Sequence, residues 1–329
     1  MLVCVWLFMC LLPSGNVKDS PIQARIVNAQ VIWNQDPHSA FTDLIHWKDQ
    51  FVCIFRVGKG HISPDGALQL LTSTDGNHWL PLARIASPVA DLRDPKLAVG
   101  PAGELLVYAA GAMHDKTKTT HRNYVWTSVE GKKWSEPKET GESDNWLWRV
   151  TRHVSGYYGW GYGTGKNRFL QLFKSNQGRD FTSVTPPLLQ DKGYANETAM
   201  VMDQKHAWCL LRRDGNAPSN TGLLGTSLEP FTVWTWRDLG VRIGGPSMLR
   251  LPSGQFLATV RLYSPKVRTV LCQLDMEKGH LKELLTLPSG GDCSYAGMVW
   301  HQQKLWISYY SSHEGKTSIY LAEVEVREE

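Results

Sequence analysis

The sequence contains few of the features that mark helical, membrane-spanning or nucleic-acid-binding proteins. Its 329 residues show almost no helical periodicity, so a helical fold is disfavoured. No apolar run beyond the N-terminus is long enough to cross a membrane, and we therefore expect no integral membrane segment. The formal net charge is only +4 and the basic residues form no run, which argues against a nucleic-acid partner.

Cysteine is also scarce, with six residues in the whole chain. The four beyond the N-terminal segment are Cys53, Cys209, Cys272 and Cys293. None belongs to a Cys-x-x-Cys pair and no His/Cys cluster accompanies them, so the sequence predicts no zinc site. We expect buried thiols here, and the sequence implies neither a metal nor an organic cofactor.

The N-terminal segment carries an apolar run of about 12 residues, which is typical of the hydrophobic part of a signal peptide. We predict a signal peptide over residues 1–17 and export to the periplasm or the extracellular space. No Lys or Arg precedes the run. A cytoplasmic protein with a misassigned start codon is therefore the alternative.

A repeated turn sequence, Ser-x-Asp-Gly-x-x-Trp, is the most informative feature that is present. Its copies, two of them degenerate, begin at Ser73, Ser128 and Ser175. Around them, short runs rich in Val, Leu, Trp and Tyr recur six times, each bounded by turn residues. A period of about 50 residues with several strands per unit predicts an all-β fold, a single six-bladed β-propeller. We expect it to span residues 26–325, with residues 26–33 closing the last blade.

Polar residues occur where the inner strands of the predicted blades begin, and these strand ends meet at one face of a propeller. The residues at these positions include Arg93, Asp94, Arg149, Glu197 and Tyr295. An alignment of the second strands adds Arg56, Arg212 and Arg261 at matching positions, with Tyr309 in the last blade. Because unpaired buried charge is costly, these arginines require anionic partners. The partner is either a substrate carboxylate or an internal acid such as Asp43, Asp94 or Asp214.

Glu197 and Tyr295 form the pair with the clearest chemical meaning. A phenol with a pKa of about 10 is a weak nucleophile unless a base removes its proton, and a neighbouring carboxylate can do so. A tyrosine nucleophile suits an anionic substrate, which would repel a carboxylate nucleophile. The alternative for Tyr295 is a packed aromatic residue at the start of a strand.

These residues and the repeated turn resemble the sialidase superfamily, whose members are six-bladed propellers with Asp-box repeats. Cys293-Ser294-Tyr295 is similar to the segment that opens the family's last blade, and Glu197 matches its glutamate. The resemblance implies that Tyr295 is the nucleophile and that Glu197 removes its proton. It also implies that Arg212 is the second arginine of a triad that binds the substrate carboxylate.

The remaining roles that the resemblance implies have two candidates each. Arg261 or Arg268 would be the third arginine of the triad. Asp65 lies where the family's acid/base loop would be, and His61 in the same loop is a competing proton donor.

One segment departs from the family pattern. The family's first arginine opens blade one, but here that segment reads Phe41-Thr42-Asp43-Leu44. Arg56, Arg93 or Arg149 would have to replace the missing arginine. The departure indicates a divergent bacterial branch.

The sequence as a whole therefore predicts an exported exo-glycosidase that acts on a glycan or glycoconjugate and removes a terminal acidic sugar, for which α-linked sialic acid is the expected identity. One alternative is a non-catalytic glycan-binding propeller, which would keep the arginines but need no acid/base residue. Another is a hydrolase or lyase for a different uronic or neutral sugar.

Overall fold

The computed structural model describes residues 21–165, 168–190 and 192–328. Within these residues, 24 strands form six four-stranded antiparallel sheets, and no helix is present. The fold is an all-β, six-bladed β-propeller, which confirms the predicted fold class. Among the residues described, none forms a helix with the length and hydropathy needed to cross a bilayer. Residues 1–17, the predicted signal peptide, lie outside the described residues.

Blades 1 to 3 each consist of four consecutive strands. Blade 1 contains β2 (His38–Trp47), β3 (Gln50–Gly58), β4 (Ala67–Ser73) and β5 (Leu80–Ile85). Blade 2 contains β6 (Ala90–Val99), β7 (Leu105–Met113), β8 (His121–Ser128) and β9 (Lys138–Thr140). Blade 3 contains β10 (Asn145–His153), β11 (Gly156–Gly163), β12 (Leu170–Ser175) and β13 (Thr182–Ser183).

Blades 4 and 5 repeat this order, but blade 6 combines both ends of the chain. Blade 4 contains β14 (Tyr194–Met202), β15 (His206–Asp214), β16 (Leu223–Leu228) and β17 (Thr235–Asp238). Blade 5 contains β18 (Ile243–Arg250), β19 (Phe256–Leu262), β20 (Arg268–Asp275) and β21 (His280–Thr286). Blade 6 contains β22 (Cys293–His301), β23 (Lys304–Ser311), β24 (Ser318–Glu328) and β1 (Ile22–Trp33).

The ring is closed by β1, which pairs antiparallel with β24 from Ile22 opposite Glu328 to Trp33 opposite Ile319. Residues 26–33 therefore close the last blade as the sequence predicts. Because β1 is the outermost strand of the blade whose inner strand is β22, the closure holds the two ends of the chain together.

The repeated turn joins the third and fourth strands of a blade. In blade 1, Ser73 Oγ accepts a hydrogen bond from the Gly76 amide at 2.9 Å, and Asp75 Oδ1 accepts one from the Asn77 amide at 2.8 Å. The Trp79 indole donates to the Gly76 carbonyl at 3.0 Å. Gly76 has a φ of +75°, a conformation that glycine adopts without steric cost. The turn is a structural device, and no site residue lies in it.

The core lies between the blades, where apolar faces of neighbouring sheets pack together. One large cluster joins blades 3 and 4 through Trp160, Cys209 and Leu211. All four described cysteines are free and buried, as the sequence predicts.

Every inner strand is interrupted by a β-bulge at the same place, where two of its residues face one residue of the second strand. The bulged pairs are Phe41-Thr42, Asp94-Pro95, Trp148-Arg149, Asn196-Glu197, Gly245-Pro246 and Tyr295-Ala296. The first residue of four of these pairs has a positive φ: Phe41, Asp94, Gly245 and Tyr295. The bulges therefore redirect one set of side chains at one end of the central axis, and the candidate site lies there.

Candidate active site

The bulges of blades 4 and 6 bring Glu197 and Tyr295 into direct contact although they are far apart in the sequence. The Tyr295 hydroxyl donates a hydrogen bond to Glu197 Oε1 at 2.5 Å. Arg212 Nη1 lies 2.7 Å from the same carboxylate oxygen and 2.9 Å from the phenol oxygen. The other carboxylate oxygen of Glu197 accepts a hydrogen bond from the Gly245 amide at 3.0 Å. A carboxylate, a phenol and a guanidinium therefore form one closed contact triangle.

The phenol of Tyr295 is held in its protonated form. Burial raises its pKa well above the ordinary value and the Glu197 carboxylate raises it further, while Arg212 and Arg261 act in the opposite direction. Attack by this oxygen therefore requires a base, and Glu197 already accepts its hydrogen bond.

Arg261 lies beside the ring of Tyr295, with its guanidinium carbon 5.4 Å from the ring centroid. Its Nε donates to the Cys293 carbonyl at 2.8 Å. Its Nη2 lies 3.0 Å from the Tyr310 hydroxyl and 3.2 Å from Asp292 Oδ1. Blade 5 therefore fixes this arginine against the strand that carries Tyr295.

The inner strands of blades 1, 2 and 3 carry a second group of charged side chains. Arg149 Nη1 is 2.6 Å from Asp43 Oδ1, and its Nη2 donates to the Ala296 carbonyl at 3.1 Å. Lys96 is buried, with its ammonium 5.0 Å from the ring centroid of Trp148. Burial also raises the pKa of Asp94, an effect that Arg93 and Lys96 oppose. Arg149 therefore has an internal acid as its partner, the alternative that the sequence left open.

Phe41 occupies the bulge of blade 1, in the segment where the resemblance to sialidases predicts an arginine. Its ring centroid lies 5.2 Å from that of Tyr295 in an edge-to-face contact. The guanidinium carbon of Arg93 lies 5.5 Å from the Phe41 ring centroid and 5.8 Å from that of Trp146. Arg93 Nε is buried and has no hydrogen-bond partner among the described residues. Arg93 is thus the arginine of the site that lacks an acidic hydrogen-bond partner in the described chain.

The loop between β3 and β4 carries both candidate proton donors, but it places them differently. The His61 ring contacts the Phe41 ring edge to face, with centroids 5.1 Å apart. Asp65 is exposed, and its Oδ1 accepts a hydrogen bond from the Lys59 amide of the same loop at 3.3 Å. Hydrogen bonds from Ser63 and Lys59 lower the pKa of Asp65. They therefore favour its carboxylate form over the protonated form that a proton donor needs. The loop therefore directs His61, and not Asp65, toward the aromatic residues around Tyr295.

Two predicted substrate-binding arginines lie in structural ion pairs instead. Arg56 is fully buried; its Nε is 2.9 Å from Asp91 Oδ1, and its other nitrogens bond to loop residues 60 and 63. Arg268 Nη2 donates hydrogen bonds to both carboxylate oxygens of Glu283, at 2.8 and 2.9 Å. Neither guanidinium reaches Tyr295, so the assignment of both to substrate binding is corrected.

The alignment of the second strands is wrong by one residue in blades 4 and 6. In the observed register, Arg56 and Arg261 correspond to Arg213 and Tyr310, because these four residues pair with the position just before each bulge. Tyr309 is fully buried and stacks on Tyr320, with its hydroxyl on the Pro288 carbonyl. Tyr309 is therefore a core residue, and Tyr310 is the tyrosine that contacts Arg261.

His38, His61 and Asp292 form a group whose potential ligand atoms all lie within 4.8 Å of one another. Such a set of residue types is one that zinc accepts. The contacts seen here are hydrogen bonds, however: His61 Nδ1 is 2.7 Å from Asp292 Oδ2, and Tyr310 donates to Asp292 Oδ1 at 2.7 Å. The group was not predicted from the sequence, because residues 38, 61 and 292 are adjacent only across the closed ring.

Three other residues of the site, Asp292, Lys96 and Trp148, were also not predicted from the sequence. Asp292 immediately precedes the predicted nucleophile strand, so its position could have suggested a role. Lys96 and Trp148 carry no signal that separates them from ordinary strand residues. Asp214, one of the internal acids that the sequence offers as an arginine partner, is the last residue of β15 and lies 2.9 Å from Arg212.

No protein-family model matches the chain, and no curated protein matches its sequence. Solved structures do match its fold. A protein of unknown function from Dyadobacter fermentans superposes with a TM-score of 0.81 at 19% identity, over 92% of this chain and 99% of that one.

Two glycosidases of known name share the same architecture. The sialidase of Trypanosoma rangeli, in complex with the inhibitor DANA, matches with a TM-score of 0.68 at 11% identity, over 92% of this chain and 60% of that longer chain. The α-L-arabinanase of Penicillium chrysogenum, in complex with arabinobiose, matches with a TM-score of 0.69 at 11% identity, over 91% and 98%. The chain thus has a propeller fold that sialidases and an arabinanase also have.

Proposed function

We propose that this protein is an exported, retaining exo-glycosidase that removes a terminal acidic sugar, α-linked sialic acid, from a glycan. The observation that carries the proposal is the 2.5 Å hydrogen bond from the Tyr295 hydroxyl to Glu197, with Arg212 2.9 Å from the same phenol oxygen. The likeness in fold to sialidases supports the class of reaction. Export rests on residues 1–17 alone.

In the first step, Glu197 takes the phenol proton while the Tyr295 oxygen attacks the anomeric carbon. The bond from that carbon to the leaving oxygen breaks, and a proton donor, His61 or Asp65, protonates that oxygen. In the second step, water attacks the same carbon as its proton passes to that donor residue. The Tyr295 oxygen leaves and recovers its proton from Glu197.

The charges around Tyr295 support an anionic sugar. Arg212 and Arg261 flank the phenol, and Arg93 lies beside Phe41 with a buried nitrogen that has no partner in the described chain. A guanidinium binds a carboxylate through two parallel hydrogen bonds. In this proposal Arg93 supplies the charge that the Phe41 position lacks.

The test is Tyr295→Phe, assayed on an aryl α-sialoside. The variant keeps the ring packing but loses the nucleophile, so we expect kcat to fall by more than about 10³-fold with the fold unchanged. Tyr309→Phe is the matched control, because it removes a hydroxyl that donates only to the Pro288 carbonyl. Unchanged hydrolysis by Tyr295→Phe would refute the assignment.

A second candidate substrate is a different uronic or neutral sugar, and specific contacts favour it. Phe41 places an apolar ring where the family has an arginine, and Arg149, Arg212 and Arg261 each pair with an internal acid. A screen of the sugars released from mixed glycans separates this candidate from sialidase activity. A glycan-binding protein without catalysis would release none and would keep its affinity when the proton donor is removed.

A further inference from the structure

Asp292 and His61 form a hydrogen-bonded pair beside the aromatic residues that contact Tyr295. His61 Nδ1 lies 2.7 Å from Asp292 Oδ2, although the two residues are 231 positions apart. Asp292 immediately precedes β22, the strand that carries Tyr295, and His61 lies in the loop between β3 and β4. The pair therefore joins the β3–β4 loop of blade 1 to the residue that precedes the Tyr295 strand of blade 6.

Asp292 is itself held in place by other groups. Its Oδ1 accepts a hydrogen bond from the Tyr310 hydroxyl at 2.7 Å and lies 3.2 Å from Arg261 Nη2. His38 Nε2 lies 3.5 Å from the oxygen that His61 contacts. Burial raises the pKa of this carboxyl, but the hydrogen bonds from His38, His61 and Tyr310 outweigh it and lower the pKa far below its usual range. Asp292 is therefore a fixed anion that orients the imidazole of His61.

The second ring nitrogen of His61, Nε2, makes no hydrogen bond to any residue that the structure describes. The His61 side chain is 46% exposed, so it is open to a bound molecule. Its ring contacts Phe41 at 5.1 Å, and Phe41 contacts Tyr295 at 5.2 Å. The imidazole is thus separated from the Tyr295 ring by one aromatic ring, that of Phe41.

We propose that His61, oriented by Asp292, is the proton donor and general base of this site, in place of Asp65. The inference rests on the proposed glycosidase function. In the first step His61 Nε2 gives its proton to the leaving oxygen as the glycosidic bond breaks. In the second step Nε2 takes a proton from the attacking water. The Nδ1 proton stays with the Asp292 hydrogen bond throughout, so Asp292 is a positioning residue.

Other charged groups also act on His61 and bear on any pH profile. They are the imidazole of His38, with ring centroids 5.5 Å apart, and the carboxyl of Asp94, which is electrostatically coupled to His61. Arg261 and Tyr310 act through Asp292. An assay across pH therefore needs Asp292→Asn beside the wild type, because that variant removes the central charge of the group.

The test compares leaving groups. A proton donor matters for a poor leaving group such as the hydroxyl of lactose in sialyllactose, and much less for 4-nitrophenolate. We expect His61→Ala to lower kcat/KM on sialyllactose by about 10²–10⁴-fold, with a much smaller loss on the 4-nitrophenyl sialoside. Asp65→Ala tests the rival donor of the same loop, and its loss on sialyllactose should be no larger than its loss on the 4-nitrophenyl sialoside.

Asp292→Asn tests whether Asp292 orients the His61 imidazole or only stabilises the fold. We expect a loss on sialyllactose with KM unchanged and a displaced pH profile, while the loss on the 4-nitrophenyl sialoside stays small. If Asp65→Ala gives the leaving-group-dependent loss and His61→Ala does not, the inference is overturned. Activity that disappears on dialysis against EDTA and returns with Zn²⁺ would also overturn it, because a metal would then occupy Nδ1.

The same assay distinguishes failure of the inference from failure of the proposed function. If wild-type protein hydrolyses neither sialoside, or if Tyr295→Phe remains active, the proposed function itself is wrong. If the wild type is active and Tyr295→Phe is not, but His61→Ala loses equal activity on both substrates, only the assignment of His61 is wrong.

Discussion

At the scale of single residues, Lys96 has the most unusual environment of the site. Its side chain is buried beside Trp148, and its ammonium donates a hydrogen bond to the Pro95 carbonyl at 3.0 Å. Burial lowers its pKa to about 8 and Arg149 lowers it too, while nearby acids including Asp43 oppose them. The charged form is therefore less favourable in the folded protein than in the unfolded chain.

This environment predicts a pH-dependent stability. At pH 7 Lys96 is charged in both states, so the folded state bears the cost of the buried charge. As pH rises above about 8, the folded state loses the proton before the unfolded chain does, and the free energy of unfolding gains from this group. We expect the wild type to gain about 2 kcal/mol relative to Lys96→Met between pH 7 and 10, by urea unfolding.

The control for this measurement is Lys138→Met, which removes an exposed ammonium paired with Asp180. Its stability difference from the wild type should stay flat over the same pH range. If the stability difference between the wild type and Lys96→Met were also independent of pH, it would contradict the lowered pKa of the buried Lys96.

The residue scale is also where sequence reasoning was least reliable. Tyr295 and Glu197 could be found because each lies near the start of an inner strand, and both lie in the site. The second-strand residues could not be aligned to the nearest residue from apolar runs alone. Because side chains alternate along a strand, an error of one residue exchanges the two faces. The alignment of the apolar runs therefore predicts Tyr309 at the position where Tyr310 contacts the site.

At the scale of elements, the bulges of the inner strands position the site. The apolar runs predict where the strands lie, but a bulge adds one residue without changing composition, so no pattern in the sequence reveals it. The conformations that result are unusual: Tyr295 has a φ of +51°, which is rare for a residue other than glycine. Such strain is found where surrounding structure fixes a functional side chain.

Gly245 provides a test of this geometry. It has a φ of +51°, and an added Cβ would lie 2.8 Å from the Tyr295 ring and 2.9 Å from its backbone nitrogen. We therefore expect Gly245→Ala to displace Tyr295 and lower kcat by at least about 10-fold, since small displacements of a reacting group are costly. Steady-state hydrolysis of the aryl sialoside measures the loss.

Gly240→Ala is the matched control for backbone strain. Gly240 has a φ of +67°, but an added Cβ would meet no atom within 4 Å. Both variants bear the cost of a positive φ, Gly245→Ala should lose more stability because its Cβ also meets Tyr295, and only Gly245→Ala should lose turnover. Equal turnover in the two variants would show that Tyr295 does not depend on the bulge of blade 5.

At the scale of the whole molecule, the site exists only because the ring is closed. Glu197 and Tyr295 belong to blades 4 and 6, and blade 6 needs β1 to complete its sheet. The repeat number and the closing strand could be predicted, because both follow from the period and from an apolar segment ahead of the first blade. The contact between His61 and Asp292 could not, because it depends on the curvature that brings blade 1 against blade 6.

Trp33, at the end of β1, tests the closure. Its side chain is 9% exposed, packs near Phe55 and donates to Asp36 Oδ2 at 2.8 Å. We expect Trp33→Ala to lower the free energy of unfolding by about 3–5 kcal/mol. Val31→Ala on the same strand is the control, since Val31 is 40% exposed and its loss should cost less than about 1 kcal/mol. Equal destabilisation in urea would argue against a closure anchored by Trp33.

The central claim is that the Tyr295 oxygen becomes bonded to the anomeric carbon of the substrate. The most direct measurement is peptide mass spectrometry after incubation with 2,3-difluorosialic acid, a substrate analogue that slows release of a covalent intermediate. We expect one added glycosyl group on the peptide that contains Tyr295, and none in Tyr295→Phe. A glycosyl group on Glu197, or an unmodified chain after complete reaction with the analogue, would contradict it.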